Sequence, residues 1–206
     1  MLTHLPRLRV IWFSRAAGLR VACLLGCVMG FPRASQAQER SVAAEESSIE
    51  YQVKAAYLLN FTRYVEWPRS AFSSASAPLD ICIFGDDPFG LDLDRASADR
   101  SSGGHPIRVR RERERSRLTG CHLVFVGERE GHLYPEVGKQ LTEKGMLTVG
   151  NNEQFARVGG IIGFVIVNET VRFVVNLEAQ DRAGLRISSR VLTLANALIP
   201  AAGGGY

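Results

Sequence analysis

From residue 49 onward, apolar positions recur in short regular patterns. Ile162, Phe164 and Ile166 alternate with Gly163, Val165 and Val167. After Asn168-Glu169-Thr170, Val171, Phe173 and Val175 alternate with Arg172, Val174 and Asn176. Two β-branched and aromatic runs around a short polar turn predict a β-hairpin. Both faces of the first run are apolar, which predicts a strand buried on both sides. Upstream, 79–84 (LDICIF), 123–127 (LVFVG) and 146–149 read as strands, and 134–144 as a helix. A longer helix is expected over 49–66, capped by Ser47 or Ser48. Its stripe is Ile49, Val53, Ala56, Tyr57, Asn60, Phe61 and Tyr64, with Leu58, Leu59 and Val65 off it. Trp67-Pro68 ends the run. Beyond a polar tract at 178–184, Val191, Leu192, Leu194, Ala195 and Leu198 predict a terminal helix. Ser188 or Ser189 can cap it, and Pro200 stops it. This order predicts a single α/β domain: a mixed, mostly parallel sheet with a C-terminal β-hairpin and helices on both faces.

Charge changes the picture only at the N-terminus. The chain carries a formal net charge of +4 over 206 residues. Residues 1–37 hold Arg7, Arg9, Arg15, Arg20 and Arg33 and no acids, so they contribute +5 and leave −1 for the remainder. A basic balance confined there gives no support for nucleic-acid binding. Arginines, an apolar stretch from Val21 to Phe31, and Ser35-Gln36-Ala37 read as an export signal cleaved after Ala37. The stretch is shorter than the roughly 20 residues a spanning helix needs. A lipoprotein box at Leu24-Leu25-Gly26-Cys27 ranks second. The expected organisation is a signal over 1–37, a flexible segment over 38–48, the domain over 49–199 and a flexible tail over 200–206.

Cys23 and Cys27 fall in the signal, leaving Cys82 and Cys121. In an exported domain such a pair suggests a disulfide, with two buried free thiols as the alternative. His122 adjoins Cys121, but strand neighbours point to opposite faces and no metal-ligand spacing appears. His105, His122 and His132 read as surface residues. Asp86 and Asp87 follow the 79–84 strand and read as caps, since the 123–127 strand lacks the Asp that a phosphoacceptor site would need. The run 108–117 (RVRRERERSR) alternates in sign, as a solvated strand edge and loop would. No phosphate loop, HExxH or G-x-S-x-G is present, so no catalytic set, metal site or cofactor is assigned.

The segments EYQVKAAYLLNFTRYVEWP (50–68), ICIFGDDPFG (81–90), LTVG (147–150), GGIIGF (159–164) and NLEAQDRAGLRISSRVLTLA (176–195) together resemble the YfiR family. The resemblance covers about 48–199. It implies a periplasmic α/β domain, not an enzyme, that binds and represses the periplasmic sensor domain of an inner-membrane diguanylate cyclase of the YfiN type. Cyclic di-GMP and biofilm formation would fall as a result. A sensor kinase is the alternative target, and a homodimer is possible. The resemblance also implies a strand-to-strand Cys82–Cys121 bridge. Relatives' second cysteine pair has no counterpart in 145–199, which puts redox switching in question. Small aromatic or nucleotide-like ligands are implied too, with Arg186 as the one residue carried over.

Three functions therefore compete: a repressor of a membrane sensor, a small-ligand sensor module and an exported enzyme. For the first, the expected contact surface uses Arg182, Arg186 and Arg190, with Tyr64 or Trp67 adding apolar area. Burial against the sheet is the competing role for Tyr57, Phe61, Tyr64 and Trp67.

Overall fold

The computed structural model describes residues 33–201, with side chains from Ala44 onward. Most of the expected signal, all but 33–37, and most of the tail lie outside the described residues. The chain divides into two units, 1–42 and 43–206. The second carries the whole sheet and both of its cores.

In chain order the elements are α1 (Arg33–Tyr64), β1 (Val65–Glu66), β2 (Leu79–Phe84), α2 (Leu91–Ser97), β3 (Ser101–Ser102), β4 (His105–Glu112), β5 (Leu123–Val126), α3 (Tyr134–Glu143), β6 (Leu147–Gly150), α4 (Glu153–Arg157), β7 (Ile162–Val167), β8 (Thr170–Asn176), α5 (Leu177–Arg182), β9 (Arg186–Ile187), α6 (Ser189–Leu194) and β10 (Ala197–Ile199). Eight strands form one sheet in the order β10-β8-β7-β6-β5-β2-β4-β3. Only β7–β8 and β3–β4 are antiparallel within it. The fold is the expected mixed, mostly parallel α/β sheet. The chain reverses its direction of travel at β2, which sits between β4 on one flank and β5 on the other.

Both sheet faces are covered. Ile81, Ile83, Leu123, Phe125, Leu147 and Val149 face a core shared with α1. Cys82, Phe84, Val124 and Val126 face the other core with α3 and Phe155 of α4. A two-residue period that is apolar on both phases is what a strand sandwiched between helices requires. Cys82 and Cys121 are disulfide-bonded within the second core, with Cα atoms 5.9 Å apart. The hairpin forms as expected. Asn168 and Glu169 take φ of 48° and 59°, a turn that matches the twist of the flanking strands. Its first strand is buried only over its first half; Ile166 is exposed.

Two glycines explain the GGIIGF segment. A Cβ on Gly160 would lie 2.1 Å from the Phe155 ring, and one on Gly163 would lie 2.6 Å from the Asn152 carbonyl oxygen. The α4 turn can pack onto β7 only because both side chains are absent. Asn152 caps α4, accepting from the Phe155 N–H. Asn176 caps α5 by accepting from Ala179 N–H, and also donates to the Ala156 carbonyl.

Several expectations need correction. The helix expected at 49–66 begins at Arg33 and ends at Tyr64, so Ser47 and Ser48 lie within it, as does the 38–48 segment. Its buried face is Lys54, Ala55, Leu58, Leu59, Phe61 and Thr62. Ile49, Val53, Ala56 and Asn60 of the expected stripe are exposed instead. A helix apolar on more than one side offers two stripes, and the branched aliphatics Leu58 and Leu59 take the sheet. The predicted terminal helix stops after six residues, and Ala197–Ile199 instead adds β10 in parallel to β8. Asp87 does not cap α2, which starts at Leu91. Its carboxylate accepts from the Phe89 and Gly90 N–H groups in the preceding turn. Asp86 pairs with Arg129. The charge run is mostly exposed near the sheet edge, as expected, and it also pairs within the domain: Arg108 grips Asp80, and Arg111 grips Asp87 and Asp94.

Candidate functional site

Pro68 cannot donate to a helix, and the residue before a proline is pushed toward extended backbone. The chain therefore leaves α1 at Tyr64 as a two-residue strand. Its partner is β9, antiparallel, with Val65 opposite Ile187 and Glu66 opposite Arg186. Ser188 N–H donates to the Tyr64 carbonyl at 2.8 Å. Val65 and Ile187 point into the core and fix the ladder, while Glu66 and Arg186 stay exposed. Ser188 then caps α6 through Arg190 N–H. This ladder joins segments far apart in the chain, setting Glu66 opposite Arg186, with Tyr64 and Trp67 flanking it on one strand and Arg190 following on α6.

Two cavities flank the ladder. The smaller, about 290 Å³, lies between α1 and α6 and is lined by Tyr57, Asn60, Tyr64, Phe173, Arg190 and Leu194. Tyr57 packs on Phe164 and Phe173, and Phe61 lies beneath, fully buried. Leu194 is exposed at the rim. The larger, about 670 Å³, opens on the other side of β1 among Arg63, Glu66, Trp67, Arg69, Phe72 and His105. The Trp67 indole nitrogen is buried there without a hydrogen-bond partner. Arg186 lines neither cavity. Arg182, on α5, is ion-paired with Glu178 one turn back. Among the described residues, no group of three or more His, Cys, Asp or Glu side chains is placed to hold a metal ion. No described helix is long and apolar enough to cross a membrane.

His122 corrects the surface reading of the histidines: it is buried. Its Nδ1 accepts from Asp80 N–H at 3.1 Å, so the ring proton sits on Nε2, which donates to the Ala71 carbonyl at 3.0 Å. Phe72 stacks between His122 and His105, with centroid separations of 4.4 and 3.6 Å. Burial pushes the His122 imidazole below its ordinary value, and His105 acts in the same sense. The Ala71 hydrogen bond and Asp80 oppose the shift. Nothing in the spacing of the histidines points to this stack. The Ser/Ala-rich loop that folds back over the β5 start has no periodicity of its own.

Residues 51–196 match the family model described as YfiR/HmsC-like. Among solved structures, the chain is similar to an ABC domain from Streptococcus pneumonia in complex with L-Trp, at 12% identity and a TM-score of 0.44. That likeness covers 59% of this chain and 55% of the other, so the chain spans about half the length of that structure.

Proposed function

The chain belongs to the YfiR/HmsC-like family, and from that premise we propose that it represses an inner-membrane diguanylate cyclase by binding the enzyme's periplasmic sensor domain. At family level the match supports a periplasmic regulator of diguanylate cyclase signalling. The finer reading places the contact on the face built by the end of α1, the β1–β9 ladder and α6. The observation that carries it is the ladder itself, which pairs Glu66 with Arg186 and has Tyr64, Trp67 and Arg190 on the segments that flank it. Exposed arginines around half-buried aromatic rings are the composition of an interface centre. The protein acts by favouring one state of its target, with no bond-making step of its own. Taking the target from mostly on to mostly off needs roughly 5 kcal/mol of differential affinity.

The test is site-specific photocrosslinking in the cell envelope from positions 186 and 190, with position 113, just past the C-terminal end of β4, as control. An inner-membrane protein with a periplasmic domain should be captured from the first two and not the third. Deleting the gene should raise cyclic di-GMP. Unchanged cyclic di-GMP, or equal capture from position 113, would overturn the reading. A sensor kinase recovered in place of a cyclase would redirect it.

The second reading, a small-ligand module, is favoured by the larger cavity, where Arg63 and Arg69 flank Trp67, Phe72 and His105. A thermal-shift screen with nucleotides and aromatic amino acids tests it, and no stabilisation by any of them removes it.

A further inference from the structure

We propose that the loop over residues 69–78 is an acid-released strap: it closes one wall of the larger cavity while His122 is neutral, and lets go when that ring takes a second proton. This goes beyond the proposed function and does not depend on the identity of a target.

The loop supplies Arg69, Phe72, Ser74 and Ala75 to the cavity wall. It has little else to hold it. Its residues 69–76 are partly or fully exposed, and its hydrogen bonds to the rest of the domain run mainly through two imidazoles. His122 Nε2–H donates to Ala71 O near its start. His105 Nδ1 lies 2.7 Å from Ala77 O near its end. Phe72, between them, is gripped by both rings.

The chemistry of His122 makes the grip conditional. Its Nδ1 faces a backbone N–H, that of Asp80, which can only donate. A proton added to Nδ1 would set two donors against each other at 3.1 Å in a buried position. The ring must then turn or leave, and the Ala71 and Phe72 contacts go with it. The charged groups facing the ring fit a conditional state. The Asp80 side chain offers the incoming charge some compensation, but its carboxylate is already held by Arg108 at 2.6 and 2.7 Å and approached by Arg110 at 3.5 Å. His105 lies on the other side of Phe72 and works against a charge on His122. Trp67 approaches edge-on and carries no charge.

The sign follows from burial. A base with a depressed folded-state value is stabilising above its ordinary value of about 6.5, and that contribution is lost as pH falls. The strap therefore stays shut near neutrality and opens only as pH falls below the ordinary imidazole value of about 6.5, with histidine as the natural sensor.

The test follows the histidine nitrogens by NMR in the purified, ¹⁵N-histidine-labelled chain, alongside amide hydrogen exchange. At neutral pH, His122 should show the Nε2–H tautomer. As it protonates, amides over 72–77 should exchange about tenfold faster than the intrinsic pH effect explains, with far-UV circular dichroism unchanged. In His122→Asn, the amide oxygen can still accept from Asp80 N–H, and this pH dependence should disappear. If that variant does not fold, the wild-type titration alone decides. Two outcomes overturn the proposal: His122 staying neutral until the domain unfolds in acid, or its titrating while the loop's protection stays the same.

Discussion

The Lys54 ammonium donates to the Asn151 side-chain oxygen at 2.8 Å, joining α1 to the end of β6 across 97 positions of sequence. Lys54 is only 2% exposed. Glu50, one turn earlier, supplies its counter-charge, and the rings of Tyr51 and Phe164 lie 4.8 and 5.5 Å from the nitrogen. A buried cation is tolerable only because every side of it is answered.

Removing that cation strands its partners. Lys54→Ala is expected to cost about 3 kcal/mol, since Glu50 and Asn151 lose their shared partner and a cavity opens. Lys54→Met keeps most of the volume and should cost less. Urea unfolding of the two variants measures the difference.

The Cys82–Cys121 bridge closes a loop of 39 positions within the core beneath α3. Its loss in a Cys82→Ser/Cys121→Ser variant should cost about 4 kcal/mol at most on the chain-entropy account. The variant should unfold at lower denaturant in oxidising buffer, and reductant should narrow the gap by destabilising the parent alone.

Gly160→Ala drives a methyl group into the Phe155 ring. Overpacking of this kind costs about 1–3 kcal/mol. Phe155→Leu alone is also destabilising, but it makes room for the methyl. The double variant should therefore be more stable than the sum of the two single changes, and a double-mutant cycle reads that coupling.

Tyr134 is buried, with its hydroxyl donating to the Gly127 carbonyl. Burial pushes its phenol up to about 12, with Glu128 adding to the shift. A raised acid keeps its proton in the fold where the unfolded chain has lost it. Its contribution is therefore present below pH 10 and falls as pH rises from 10 toward 12. Tyr134→Phe should flatten this part of the alkaline melting profile, and equal slopes would show that the phenol plays no part.

The strands of the sheet and the hairpin are readable because β-branched runs on both phases leave few alternatives. The α3 amphipathic pattern is equally plain. The buried side of α1 is not readable. Ile49, Val53 and Tyr57 form as good a stripe as Leu58, Phe61 and Val65, and only the sheet's position decides between them. The segment 191–199 misleads because its few apolar residues suit a helix turn or a short strand equally, and the open edge of β8 takes the last three. Tyr64 and Arg186 each stand out in the sequence, yet their proximity rests on a two-residue pairing no periodicity announces. Arg182 shares the local charge pattern of Arg186 and Arg190, and its pairing with Glu178 within α5 follows from their i,i+4 spacing. The burial of His122 is hidden because it comes from a loop folding over the ring.

The β1–β9 ladder pairs Val65 with Ile187, and β10 then docks beside β8. The end of the first helix is thus sealed by residues far along the chain. Until they arrive, Tyr64 and Val65 have no strand to lean on, and the fold cannot complete early. Closure between segments this distant in sequence must wait for the loop between them to be ordered, which slows the final step of assembly.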